Sequence, residues 1–247
     1  MTPRNLITIL CASLLTTAVA NQEANDRFKL PATDNGVPGA GPLRRAGWFQ
    51  NVWTKRRSSW ANKTEQDQGA LVFLGDSITQ GFGDNFRNQF AGVKTANRGI
   101  SGDTARGMLM RLEEDVLSLN PSGVVMLLGT NDLEEQAEPE VVVGNFKLII
   151  EALKKHSGEM PIVVCQVFPS SASKKRPAEQ IKALNALYAS AVKGDPQITL
   201  LDPWTLYANA DGDARKAEMP DLLHLNQLGY EMWGAALRPI LATLGFL

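Results

Sequence analysis

Cysteine and histidine are the scarce residues of this chain. Two cysteines, Cys11 and Cys165, exclude a disulfide framework and any Cys-rich zinc or iron–sulfur site, which needs four thiols or a Cys/His cluster. Two histidines, His156 and His224, leave any reaction that requires an imidazole with two candidates. An excess of either charge is missing as well. With 25 Lys plus Arg against 26 Asp plus Glu, the 247 residues carry a formal charge of −1, without the broad positive field that nucleic-acid binding uses. No internal repeat or low-complexity tract occurs, and 44% hydrophobic with 21% charged residues is a globular composition that excludes fibrous and disordered classes.

Long apolar runs are also lacking, with one partial exception. Behind Arg4, the stretch from Leu6 to Ala20 is apolar but falls short of the roughly 20 residues of a membrane-spanning helix. Ala18-Val19-Ala20 supplies a small-x-small cleavage pattern, so residues 1–20 read as a secretory signal peptide cut after Ala20. The mature chain then has no integral membrane span, is secreted or periplasmic, and keeps Cys165 as its one cysteine. Residues 21–47, rich in Pro, Gly and Asp with turn signals at Asp34-Asn35-Gly36 and Pro38-Gly39, read as an extended arm. Residues 48–247 read as one domain.

What the domain does contain is an alternation of two periodicities. Short runs rich in Val, Ile and Leu at Ala70–Leu74, Val93–Ala96, Val124–Leu128, Ile162–Val167 and Ile198–Leu201 predict strands buried on both faces. Between them, helical spacing links Leu109, Leu112, Val116 and Leu119, then Val142, Phe146, Ile149 and Leu153, then Ile181, Leu184, Tyr188 and Ala191, with a last helix from about Leu228 to Leu244. Strand alternating with helix demands right-handed crossovers and a parallel sheet covered on both sides, the doubly wound α/β class. Ligands of such sheets bind beyond the carboxyl ends of the strands.

Polar clusters stand at those ends. They are Gly75-Asp76-Ser77-Ile78-Thr79, Asn97-Arg98-Gly99-Ile100-Ser101-Gly102-Asp103, Gly129-Thr130-Asn131-Asp132 and, before the final helix, Asp221-Leu222-Leu223-His224-Leu225-Asn226. A serine hydroxyl becomes a nucleophile when an imidazole takes its proton and a carboxylate holds the imidazole. Asp221 and His224, three apart, share a face of a helical turn and suit those two roles. His156, in Lys154-Lys155-His156, reads as a solvated residue at a helix C-terminus. Ester hydrolysis also needs donors for the oxyanion, and the Ser77 and Gly99 backbone N–H groups and the Asn131 amide come from separate strand ends. Each signal alone is commonplace; their joint order along the chain is not.

In these residues the sequence resembles the SGNH (GDSL-type) hydrolases. Gly75-Asp76-Ser77-Ile78-Thr79, Gly99, Gly129-Thr130-Asn131-Asp132 and Asp221-x-x-His224 look like the four blocks of that superfamily, and the likeness covers about Trp48 to Leu247. It implies a flavodoxin-like three-layer α/β/α sandwich with a five-stranded parallel sheet and a Ser77-His224-Asp221 triad. It further implies an oxyanion hole from Ser77, Gly99 and Asn131, with no metal and no cofactor. Asn97-Arg98-Gly99-Ile100-Ser101-Gly102-Asp103-Thr104 and Leu222-Leu223-His224-Leu225 resemble the branch of the platelet-activating-factor acetylhydrolase catalytic subunits and their bacterial relatives. That branch often has Gly at the place of Ser101 and Asn at the place of Asp132. It suggests short acyl groups, acetyl above all, and for an exported protein an acetylated glycan as substrate. The related subunits pair, so a homodimer is an open expectation. Two further readings stand beside this one: a lysophospholipase or acyltransferase using the same triad, and a non-catalytic flavodoxin-like binding domain whose Gly75 loop cradles an anion.

Other features have plainer readings. Asp76 and Asn226 brace the nucleophile turn and the His224 loop, and Asp103 is read as the N-cap of the helix after it. Phe49, Trp53 and Trp60 fall on one helical stripe, which with Trp48 could otherwise form an aromatic platform for a sugar ring. Arg44, Arg45, Lys55, Arg56 and Arg57 read as a solvated basic face, Asp211-Gly212-Asp213 as a turn, and Cys165 as an inert small apolar residue in a strand.

Overall fold

The computed structural model describes residues 27–247, so the expected leader at residues 1–20 lies outside the described residues. The five apolar runs form β1 (Leu71–Gly75), β2 (Thr95–Gly99), β3 (Gly123–Leu127), β4 (Ile162–Cys165) and β5 (Ile198–Leu201). They pair in the order β2-β1-β3-β4-β5, every pair parallel. The accompanying helices are α1 (Gly47–Ala61), α2 (Ser77–Gly81), α3 (Ala105–Asp115), α4 (Thr130–Glu134), α5 (Pro139–His156), α6 (Ala178–Ala191), α7 (Trp204–Tyr207) and α8 (Gln227–Thr243). The chain runs outward from β1 to β2 and then returns past β1 to β3. The crevice of this flavodoxin-like order therefore opens at the carboxyl ends of β1 and β3.

Alternation along each strand splits the interior into two apolar layers. Val72, Leu74, Val124, Met126, Ile162 and Val164 pack on one side with Met108 and Leu112 of α3, Phe146 and Ile149 of α5, and Ile181 and Leu184 of α6. Leu71, Phe73, Val125, Leu127, Val163 and Cys165 face the other way, against Phe82, Phe86, Phe90 and the α8 residues Trp233, Leu237 and Leu241. The result is the expected three-layer α/β/α sandwich. Among the described residues no helix is long and apolar enough to cross a membrane.

Three local expectations change. β2 begins later than Val93 and carries Asn97 and Arg98 in its buried interior. Such polar groups are tolerated there because each is bonded. Asn97 donates to Thr79 O at 2.8 Å, and Arg98 donates to Asp67 at 2.7 Å and to the Asp115 carbonyl at 3.0 Å. Asp103 does not cap α3; Thr104 does, its hydroxyl accepting from Gly107 N, while Asp103 accepts from Thr104 N and pairs with Arg111 at 2.8 Å. The basic run is only in part a solvated face, with Lys55 exposed. Arg57 is buried against Asp115 and Glu114, and Arg44 reaches Glu134 and Glu135. These pairs, with Phe49, Trp53 and Trp60 packed on Ile100, seat α1 beside β2 and α3. Ahead of α1 the chain is extended and fastened by Asn145, which bonds Ala40 N and O, and by Arg106, which donates to Pro38 O and Gly41 O.

Candidate active site

The turn from β1 into α2 is built so that a serine opens the helix. A side chain at Gly75 would fall 2.0 Å from the Thr79 hydroxyl and 2.9 Å from the Leu127 carbonyl, so only glycine lets the strand end this close to α2. Asp76 follows as N-cap, its Oδ1 accepting from Ile78 N at 2.8 Å. Its other oxygen is buried without a hydrogen-bond partner among the described residues, and burial pushes its carboxyl up to about 6. Ser77 then emerges half-buried at the sheet edge.

The remaining groups arrive from distant parts of the chain. His224 Nε2 lies 3.0 Å from Ser77 Oγ, and its Nδ1 lies 2.7 Å from Asp221 Oδ2. Asp221 and His224 meet in a tight turn before α8, with Leu222 at φ 64°, rather than on a regular helix. The second Asp221 oxygen accepts from His224 N at 2.7 Å and Leu223 N at 3.1 Å, so one carboxylate fixes both the loop and the ring. Burial works against the charge of Asp221, but these bonds from His224 and Leu223 hold its carboxyl below the ordinary range. The pair remains open to solvent, with side chains 44% and 47% exposed. Asn226 caps α8 by accepting from Gly229 N and donates to Ala217 O at 2.7 Å, bracing the loop from behind. His156 ends α5 and is exposed, apart from this constellation.

Asn131 opens α4 after β3 and is buried. Its Nδ2 donates to Asp103 O at 2.9 Å, while Oδ1 accepts from the Arg176 guanidinium at 3.2 Å, which fixes the amide orientation and leaves a second N–H for a ligand. Gly99 differs from the sequence expectation. Its N–H donates to Asn97 Oδ1 at 2.9 Å within the strand, so it is not available to an oxyanion. The glycine is needed for packing instead, since a side chain there would lie 2.2 Å from Gln80 N and 2.8 Å from Asp76 O.

The loop that follows contains the available donor. Ile100 N donates to Gly75 O, Ser101 N to Gln80 Oε1, Asp103 N to Ile100 O, Thr104 N to Asp103 Oδ1 and Ala105 N to Asp132. Gly102 N–H alone in this run has no acceptor among the described residues. Ser101 is tied to Gln80 of α2 and Asp103 to Asn131, so Gly102 is held between the Ser77 helix and the Asn131 amide. Its φ of 85° requires glycine. That demand was the one sequence signal for this position, and Gly99 carried the same letter.

Buried arginines, which apolar periodicity does not mark, frame the site. Arg111 on α3 donates to Gly75 O, Arg98 O and Asp103, pinning the carboxyl ends of β1 and β2 together. Arg176 donates to Thr130 O at 2.8 Å, Asn131 Oδ1 and Glu134. Among the described residues no group of three or more His, Cys, Asp or Glu side chains is placed to hold a metal ion. Cys165 is buried in β4, and burial pushes its thiol up to about 12.

Comparison with known proteins agrees with this architecture. Residues 73–232 match the GDSL-like lipase/acylhydrolase family. The chain is 29% identical over 195 residues to platelet-activating factor acetylhydrolase IB subunit alpha1 of Rattus norvegicus, covering 78% of this chain and 83% of the relative. In structure it resembles a GDSL-like lipase from Bacteroides thetaiotaomicron, with a TM-score of 0.67 and 22% identity over 76% of this chain and 98% of the other. It also resembles an acetyl xylan esterase, with a TM-score of 0.58 and 21% identity over 69% and 98% of the two chains. A matching family pattern over most of the domain, joined to this parallel sheet and its polar edge, places the chain in the GDSL-like lipase/acylhydrolase family of the SGNH superfamily, as a serine ester hydrolase.

Proposed function

We propose that this protein is an exported acetylesterase that removes acetyl or similarly short acyl groups from carbohydrate hydroxyls, with Ser77 as nucleophile, His224 as base and Asp221 as the group that orients it. The observation that carries the reading is the bonded series Asp221–His224–Ser77 ending beside an unclaimed backbone donor at Gly102. Acetyl esters are favoured by the relatives named as acetylhydrolases and by the acetyl xylan esterase among the similar structures. Export rests on the apolar leader before Ala20.

The reaction proceeds in two balanced halves. His224 Nε2 takes the Ser77 proton as Oγ attacks the ester carbonyl, and the oxyanion is met by Ser77 N–H, Gly102 N–H and the free Asn131 N–H. Collapse breaks the bond to the alcohol, which leaves with the proton from His224, and the acyl group stays on Ser77. Water, deprotonated by His224, then attacks the acyl-enzyme; the acid departs and Ser77 recovers its proton.

Chromogenic esters from acetyl to dodecanoyl, assayed with chelator present, test this directly. Turnover should fall steeply beyond short chains, and Ser77→Ala should abolish it while leaving the fold intact. Preference for long chains would move the assignment to a lipase, and hydrolysis that survives Ser77→Ala would end the nucleophile assignment. Asn131→Ala should lower kcat by about 10²–10³ through loss of one donor; an unchanged kcat would remove Asn131 from the oxyanion hole.

A further inference from the structure

Trp48 lies at the edge of the proposed oxyanion site. It is 52% exposed and is the one aromatic among the exposed large apolar side chains of the described residues. Phe49, Trp53 and Trp60 of the same helix are buried, so packing of α1 does not account for Trp48. Its ring lies over Gly102: a side chain on that glycine would fall 2.5 Å from Trp48 Cη2 and 3.1 Å from Cζ3. The residue with the unclaimed N–H donor therefore has an indole against its α-carbon.

The ring is held in place. Arg44 stacks on it with its guanidinium carbon 5.5 Å from the ring centroid, and Phe49 meets it edge-on at 5.8 Å. Arg44 is itself anchored by Glu134 at 2.8 Å and Glu135 at 2.7 Å. Glu134 also binds Arg176 at 2.9 Å, and Arg176 holds the Asn131 amide. An unbroken series of charged contacts thus sets the indole in register with the amide that faces the reacting carbonyl. Arg44 and Trp48 both precede residue 73, where the match to the family model begins.

We propose that Trp48 forms the leaving-group subsite, stacking on a pyranose ring whose acetyl ester is presented to Ser77. The inference rests on the esterase reading above and adds the substrate class. A pyranose has an apolar C–H face that matches an indole and a rim of hydroxyls that matches flanking charge, here Arg44, Glu134 and Glu135. A half-exposed ring suits the alcohol side of the ester, which on a glycan stays in solvent, rather than an acyl group that must be enclosed.

The test compares two acetyl esters, a monoacetylated methyl xylopyranoside and ethyl acetate, whose alcohol has no ring. Trp48→Ala should raise KM for the glycoside and lower its kcat/KM by about five- to tenfold more than it lowers that for ethyl acetate. Trp48→Phe should recover most of the loss. Equal losses on both esters, or none on the glycoside, would overturn the subsite. An altered chain-length profile across ethyl acetate, butyrate and hexanoate would also overturn it, by placing the ring on the acyl side. Failure of the unsubstituted protein to hydrolyse ethyl acetate through Ser77 would instead fell the esterase reading, and the subsite with it.

Discussion

Arg176 shows how much one side chain outside the reacting groups can decide. An asparagine amide can present either its oxygen or its nitrogen to a cavity, and an oxyanion is stabilised by the nitrogen alone. At Asn131 the choice is enforced from both ends, by the Asp103 carbonyl on Nδ2 and the Arg176 guanidinium on Oδ1. The positive charge also polarises the amide and strengthens its remaining N–H as a donor. Arg176→Lys keeps a cation but loses the fork that reaches Thr130, Asn131 and Glu134 together. Its kcat should fall about tenfold with KM nearly unchanged, because the interaction is made to the transition state. A variant that loses thermal stability yet keeps kcat would show that Arg176 only supports the fold. Ser77, Asn131 and the Asp221/His224 pair were legible in the sequence because topology alone sends strand-following loops to one edge. Arg176 was not, since its partners at the site, Thr130, Asn131 and Glu134, lie more than forty residues away and no periodicity announces a buried cation.

At the scale of elements, the close approach of β1, β2 and α2 positions Ser77, the proposed nucleophile. Gly99 and Gly75 are directly opposed in the β1–β2 register, and both sit where a methyl group would strike backbone. Gly99→Ala retains the N–H, so it separates packing from any donor role. Its Cβ would meet Gln80 N and Asp76 O, neither of which is a flexible side-chain end, so α2 must move with Ser77 on it. The expected cost is about 3 kcal/mol, or roughly 6–12 °C in Tm for a domain of this size, together with loss of activity at temperatures where the variant is still folded. Calorimetry and a rate measured well below Tm would check both parts; an unshifted Tm would mean that the contact is slack. The strands and long helices followed their apolar periodicity closely. β2 departed from it because Asn97 and Arg98 look like loop residues until their partners are known, and those partners, Thr79, Asp67 and Asp115, belong to other segments. The same limit hid the donor at Gly102: which of two glycines has a free N–H depends on where the Asn97 side chain points.

Across the whole molecule, buried carboxyls gather beneath the site, and their protonation links stability to pH. Asp76, Asp103 and Asp132 are all fully buried, but Asp103 has Arg111 as a direct partner and Asp132 has no cation bonded to it among the described residues. Burial pushes the Asp132 carboxyl up to about 7; the Ala105 N–H opposes this, and the negative charges of Asp103 and Asp76 reinforce it. A carboxyl with a raised folded-state pKa binds its proton more tightly in the native state. Its contribution to stability is therefore complete below the unfolded value near 4 and is lost as pH rises through about 7. Asp132→Asn keeps an acceptor for Ala105 N but never ionises. The stability of this variant relative to the unsubstituted protein should therefore improve between pH 5 and pH 8, by on the order of 2 kcal/mol. Urea unfolding of both proteins at the two pH values measures that difference. A difference that does not change with pH would show that Asp132 is already ionised in the native protein at pH 5, and that the fall in stability toward neutral pH is set elsewhere.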